Sequence, residues 1–448
     1  MAEWLALWTP HLMGLAFAFA LGACVGSFIN VVAWRMPLGM SITHPPSRCP
    51  VCGRRLRTRE NLPIVGWLLA KGRCKSCGVG ISLQYPVIEL LVALLFALVY
   101  AMCFVAEPLG WWGRSWAQWF QLYGLFESTP ALLCIVTLLS CLVASTLTDI
   151  RTCTIPLGVT MTATLAGVAG WTLQGAMASP SMARAWPLPS ATWWMTGAAL
   201  AGGGAVLVAN ALLARGVLKR SFADYAEFVP EGETLADYPH ARREMRHELV
   251  FFGMVALSST LGAFALAGSG GEPSPVLQGL CGSIFGYLVG AGVVWLVRIV
   301  ATIVKGIEAM GMGDVHLLGA AGACLGWIDP LAAFFIAPFF GLAWVGATGL
   351  LSVARRGAGR RELPYGPHLA IAIVGLILCR GVFVDAGRLL FPGLIPSTRA
   401  LHDEGSGGEM HALSDRPKGQ RTSEKGLSNE EDMDRRRLPP RRGDIGGV

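Results

Sequence analysis

Two aspartates carry the first chemical signal in this sequence. Asp149 closes an apolar run in Leu147-Thr148-Asp149-Ile150-Arg151, and Asp314 follows Gly311-Met312-Gly313 and opens another. Ionisable side chains in or at the ends of membrane spans are costly and usually functional. Two carboxyls brought together share one proton, because like charges a few ångströms apart do not both ionise easily. The ionised member then activates a water, and the protonated member polarises a scissile carbonyl. Gly311 and Gly313 lack side chains, so backbone or substrate can come close to Asp314. Taken singly, each aspartate also reads as a helix-end residue: Asp149 beside Arg151, Asp314 as a cap. The pair needs an independent companion signal.

That companion is a cysteine pattern. Cys49-Pro50-Val51-Cys52 and Cys74-Lys75-Ser76-Cys77 are separated by twenty-one residues in one polar loop. Two such knuckles supply four thiolates to one tetrahedral Zn²⁺. Gly53 and Gly78 follow the knuckles directly and allow a tight turn, while Arg48, Arg73 and Lys75 offset the thiolate charge. A pair of disulfides is the alternative, disfavoured in a reducing compartment. Four protein ligands leave no open position, so the metal would be structural. The other eight cysteines are scattered, mostly in apolar runs, where the thiol behaves as a small hydrophobe.

The elements that must position these residues are membrane helices. The chain has 448 residues, 53% hydrophobic and 15% charged, with a mean hydropathy of +0.52. Soluble chains carry about 25% charged residues. Apolar runs of the length that crosses a bilayer fall near 11–34, 86–106, 131–148, 155–175, 193–216, 249–268, 277–304, 315–352 and 367–392. The 315–352 run exceeds one crossing and is interrupted at Trp327-Ile328-Asp329-Pro330, where proline and an acid break the helix. The expected fold is all-α: a polytopic bundle of about eight to ten transmembrane helices with a small four-cysteine loop domain. Its parts are a first span at 1–35, the zinc-binding loop domain at 36–85, and a membrane domain at 86–400 with an insertion at 217–248. A charged tail at 401–448 is too polar to fold alone. Leu21-Gly22-Ala23-Cys24 looks like a lipoprotein box, but no Lys or Arg precedes the run and apolar residues continue beyond it, so the span is read as retained.

Basic residues orient the bundle. Residues 36–85 hold eight Lys or Arg against Glu60 alone, which places that loop in the cytoplasm. Counting spans forward returns 149–154, 217–248 and 305–314 to the same side, each with basic residues. Both aspartates then lie at the cytoplasmic boundary. The net charge of +7 reflects these loops, and no nucleic-acid-reading motif is present.

These motifs together resemble the bacterial type IV prepilin peptidases, which are leader peptidases with N-methyltransferase activity. Carrying the resemblance are Gly26-Ser27-Phe28-Ile29-Asn30-Val31-Val32 with Arg35 and Pro37, and the cysteine spacing with its interior Asn61-Leu62-Pro63-Ile64-Val65-Gly66-Trp67-Leu68. So do Gly72-Arg73-Cys74, Ile81-Ser82-Leu83-Gln84-Tyr85-Pro86, and Glu89-Leu90-Leu91. Further along come Asp149 with Ile155-Pro156, Gly311-Met312-Gly313-Asp314 with Leu317-Leu318 and Gly326-Trp327, and Pro364-Tyr365-Gly366-Pro367.

The resemblance implies a Gly-x-Gly-Asp membrane aspartyl protease in the bacterial inner membrane. It implies prepilins and pseudopilins of type IV pilus or type II secretion systems as substrates, and S-adenosylmethionine as donor for methylating the new N-terminus. Asp149 and Asp314 become the catalytic pair, with Cys49, Cys52, Cys74 and Cys77 as zinc ligands. The alternatives are such a protease with another substrate and no methyl transfer, or a non-enzymatic, zinc-stabilised membrane component. The chain departs from the family pattern in His316, where lysine is usual, in Leu157, where an acid is common, and in the long stretch 171–248. His316 reads as a polar helix residue, and Glu107, Asp329 and Asp385 as interfacial acids.

Overall fold

The computed structural model of the protein describes residues 2–105, 114–178, 189–222, 238–355 and 365–390. Glu107, residues 223–237 of the expected insertion, Pro364 and the tail from 401 lie outside them, as does the Asp385 side chain. The chain divides into two units, Met1–Val382 and Phe383–Val448. The bundle and its site lie in the first.

Among the described residues the fold is helical: α1 Ala2–Arg35, α2 Val65–Leu69, α3 Gln84–Phe104, α4 Arg114–Thr152, α5 Leu157–Met177, α6 Trp193–Ala214, α7 Ala241–Leu266, α8 Pro275–Lys305, α9 Met312–Leu325, α10 Ile328–Arg355 and α11 Gly366–Leu390. The only β pairing among them is two isolated bridges in the cysteine loop. Helices α1, α3, α4, α6, α7, α8 and α10 are long and apolar enough to cross a membrane. With α5 and the shorter apolar α9 and α11, the bundle agrees with the expected eight to ten. This is a multi-pass membrane protein.

The centre of the bundle is α9. Of its fourteen residues, Asp314, Val315 and all of Leu317–Leu325 are buried. Its sequence explains this, because glycine and alanine leave a slim cylinder that neighbours can approach backbone to backbone, the usual source of helix association in lipid. A Cβ on Gly290 of α8 would sit 2.5 Å from the Leu318 carbonyl oxygen, and one on Gly167 of α5 2.8 Å from the Ala323 backbone. Gly286 of α8 and Gly322 of α9 are in the same relation to each other. The last turn of α9 has free carbonyls, and two accept from neighbours: Trp171 Nε1 donates to Cys324 O at 2.9 Å, and Ser283 Oγ donates to Ala323 O at 2.7 Å.

The long run 315–352 breaks as expected, but one step earlier and for a different reason. Gly326, at φ 84°, ends α9 in a conformation that L side chains avoid. Pro330 is the third residue of α10, in its first turn, where a missing N–H costs nothing. Helix α7 begins at Ala241, ahead of the span expected from residue 249 and inside the stretch expected as the 217–248 insertion. The four buried residues of α7, Ala241, Glu244, Met245 and Glu248, all fall in its first eight positions. Inside α4, Gly124 (φ 73°) kinks the helix ahead of the segment that leads to Asp149.

One end of the bundle collects the end of α4 and the starts of α3, α5, α9 and α11. The Arg151 guanidinium lies 5.5 Å from the Trp34 ring centroid and donates to Gln84 Oε1 at 2.9 Å, tying α1, α3 and α4 together there.

Enlarging Gly322 tests this packing. Gly322→Val forces a side chain into the Gly286 backbone, and overpacking of this kind costs about 1–3 kcal/mol. Thermal unfolding in detergent should show a clear drop in midpoint, and an unchanged midpoint would contradict the contact.

Candidate active site

Asp149 lies one turn from the end of α4, and Asp314 is the third residue of α9. Their side chains are more than nine-tenths buried and within electrostatic reach of each other. Asp149 Oδ2 accepts from the Gly366 N–H at 3.1 Å. Gly366 is the first residue of α11, so the carboxylate sits against the positive end of a helix dipole. A Cβ on Gly366 would lie 2.7 Å from Asp149 Oδ2, so the approach requires glycine. His368, one residue past Pro367, is buried and also within electrostatic reach of Asp149. Tyr365 is within electrostatic reach of Asp314, and its hydroxyl donates to Phe334 O of α10 at 3.3 Å.

Ile155 wedges between the two halves. A Cβ on Gly313 would come 2.7 Å from Ile155 Cβ, and one on Gly366 would come 3.1 Å from Ile155 Cδ1. The two glycines beside Asp314 therefore differ in purpose. Gly313 makes room for Ile155, whereas the position of a Cβ on Gly311 lies 4.0 Å from Asp314 Oδ2 and borders the carboxyl itself.

The helix-end readings do not describe either aspartate. Arg151 turns to Trp34 and Gln84 rather than to Asp149. The N-cap of α9 is Gly311, without a side-chain cap. His316 has a partner in its own right: its Nδ1 is 2.9 Å from the Tyr287 hydroxyl.

The four cysteines converge in the 36–83 segment. Their Sγ atoms all lie within 4.8 Å of one another, with Cys49 and Cys77 at 3.7 Å and no disulfide among them. A tetrahedral site with Zn–S of about 2.3 Å needs sulfurs about 3.8 Å apart, so the thiols fit the metal. The two knuckles fold alike. Gly53 N donates to Cys49 O at 2.9 Å and Gly78 N to Cys74 O at 2.8 Å, with φ of 69° and 72° at the glycines. Backbone N–H groups also point at the sulfurs: those of Cys52 and Val51 lower the Cys49 thiol, and those of Cys77 and Ser76 bring Cys74 to about 6. Those two thiols ionise readily, as metal binding requires, while Cys77, despite a backbone hydrogen bond from Val79, is pushed up to about 11 by desolvation and the other three sulfurs.

The module is fastened to the membrane helices by a polar contact. Glu89 of α3 accepts from Ile64 N at 2.6 Å, and beside this contact Asn30 of α1 donates to Tyr85 O in the first turn of α3 at 3.3 Å, joining the two helices. Gly26 lets α1 approach α3 at this point, since a Cβ there would lie 2.7 Å from Glu89 Cα. Ile64 is held at φ 60°, a strained conformation for a β-branched residue that persists only where its surroundings impose it.

Comparison with known proteins agrees with these motifs. Residues 20–103 match the Bacterial Peptidase A24 N-terminal domain. The prepilin leader peptidase/N-methyltransferase of Myxococcus xanthus is 42% identical over 153 residues, 34% of this chain and 39% of that protein. Its namesake from Bacillus subtilis is 47% identical over 83 residues, covering 18% of this chain and 34% of that protein. That from Neisseria gonorrhoeae is 36% identical over 132 residues, covering 24% and 42%. The matched regions span less than half the length of these relatives. No solved structure matches. The resemblance to prepilin peptidases read from the motifs is borne out over the regions compared.

If the thiols form one site, the purified chain carries about one zinc. Cys74→Ser should lower zinc affinity beyond the 10–100-fold that loss of an outer-shell partner costs, as read by chelator competition. Unchanged affinity would contradict a four-thiolate site.

Proposed function

We propose that this protein is a prepilin leader peptidase and N-methyltransferase of the bacterial inner membrane, with its site facing the cytoplasm. In this reading Asp149 and Asp314 cut the leader from type IV prepilins or pseudopilins. The observation that carries the reading is the meeting of two buried aspartates, from α4 and α9, at the bundle end where the cysteine module attaches.

The geometry suggests how the work is divided. Asp149 accepts from the Gly366 N–H at a helix N-terminus, so of the two carboxyls it is the one given a donor, and in this reading it is the ionised member. Asp314 has no side-chain hydrogen bond among the described residues, and in this reading it carries the proton that the pair shares. Asp149 takes a proton from the attacking water, whose oxygen bonds to the scissile carbonyl carbon, while Asp314 gives its proton to the carbonyl oxygen. Collapse of the tetrahedral intermediate breaks the C–N bond, the departing amine takes the proton that Asp149 holds, and Asp314 recovers its own from the gem-diol hydroxyl as the carbonyl re-forms. The new N-terminus is then free for methylation, with S-adenosylmethionine as the donor.

Cys49, Cys52, Cys74 and Cys77 would hold zinc, whose chemistry here is to cross-link a segment with little core of its own. Glu89 holds that segment against α3; in this reading, which the resemblance to prepilin peptidases supports, the module serves methyl transfer and the aspartates cleavage.

Incubation of the full chain with a model prepilin tests the proposal, with mass spectrometry reading loss of the leader and gain of the methyl. Both changes are expected, and an intact leader would overturn the peptidase reading. Gly366→Ala pushes a methyl group into Asp149. A displacement of about 1 Å at a reacting group costs about 10²-fold, so cleavage should fall by that order while methylation of an already truncated pilin persists. Full cleavage by this variant would remove Gly366 from the site.

A further inference from the structure

The Gly-x-Gly-Asp segment is held from behind by a single guanidinium. Arg298 lies on α8, two turns before that helix ends, and is 2% exposed. Its Nε donates to Met310 O at 2.8 Å and its Nη2 to Glu308 Oε1 at 2.7 Å. Its Nη1 donates to Glu248 Oε2 of α7. Glu248 also accepts from Trp295 Nε1 at 2.8 Å, so its position is fixed from α8 as well. Met310 immediately precedes Gly311, the N-cap of α9. One side chain thus fixes both the carbonyl that leads into the catalytic helix and the acid two residues before it.

We infer that Arg298 is a positioning residue for the aspartate pair. It fastens the 306–311 loop to α8 and α7, and so sets where Asp314 stands relative to Asp149. This rests on the peptidase reading above. The contact does not reach the reacting atoms and acts only through the loop.

Three observations favour this role over a general contribution to stability. A buried ion cluster is weak evidence for stability, since apolar side chains of similar volume often do as well. The three contacts run in separate directions from a planar fork, a geometry that fixes position and that lysine does not reproduce. The loop is also pinned one turn further along the same face of α8, where Ala309 N donates to Thr302 Oγ1 at 3.2 Å, so Arg298 completes a loop with little freedom left. Glu248 lies at the start of α7, where all of that helix's buried residues are found. The clamp therefore makes α7, which begins in the segment outside the family resemblance, part of the support for the site.

The test compares the full chain with Arg298→Lys, which keeps the charge but not the fork, in three measurements. Cleavage of a model prepilin should lose kcat by about 10–10²-fold, the scale of an ångström-sized misplacement, with KM little changed. Amide exchange across 307–312 should speed up while that of 280–295 stays as in the wild type. Methylation of an already truncated pilin should be unaffected, which shows that the variant is folded. Wild-type kcat together with wild-type exchange would overturn the inference. Should Arg298→Lys fail to accumulate, Glu308→Ala removes one arm of the clamp and should shift kcat and exchange in the same direction. If the wild type itself leaves prepilin intact, the peptidase reading fails, while the exchange measurement still decides whether Arg298 holds the loop.

Discussion

The hydrogen bond from Gly366 N–H to Asp149 sets the terms for the rest of the site. Two carboxyls buried in the same cluster repel, and the chain offsets this with a backbone donor and a helix N-terminus on one of them. That solution has requirements. The first residue of α11 must be glycine, Ile155 must fill the space between Gly366 and Gly313, and α9 must enter the bundle with its N-terminus beside the end of α4. The packing of α9 follows from the last requirement. A slim helix of glycine and alanine is enclosed by glycine faces on α5 and α8, and its final carbonyls are satisfied by Trp171 and Ser283.

Much of this was legible in the sequence, because the site is built from residue types with few other uses. Paired cysteine knuckles with trailing glycines, a charged residue ending an apolar run, and an acid after Gly-x-Gly each announce themselves locally. The helices followed from apolar length. The Tyr365-Gly366 segment was visible as a motif, though its purpose was not. Nothing in a linear reading says that the N–H of residue 366 meets a carboxylate at residue 149.

What stayed hidden depends on three-dimensional closeness. Arg298, Glu248 and Glu308 are each ordinary in sequence: one arginine in an apolar run and two acids in the loop-side stretches next to apolar runs. Their cluster exists only because α7 and the 306–311 loop converge on α8. His368 is similar, a lone histidine whose place beside Asp149 comes from the docking of α11. The helix break was located correctly but attributed to Pro330, because proline is the louder signal. Gly326, one of many glycines, makes the turn. The early start of α7 was missed because its first turns are charged, and hydropathy places a helix boundary where polarity ends rather than where hydrogen bonding does.

The most direct test of the shared aspartate site is cleavage of a model prepilin by Asp149→Asn, Asp314→Asn and the double variant, in full-length protein whose zinc content matches the wild type. Residues that act as one unit do not contribute additively. Each single variant should therefore lose at least about a thousandfold in rate, and the double variant should be no worse than either. A single variant that keeps more than about a tenth of the wild-type rate, or losses that multiply in the double variant, would show that the two carboxyls do not work as a pair.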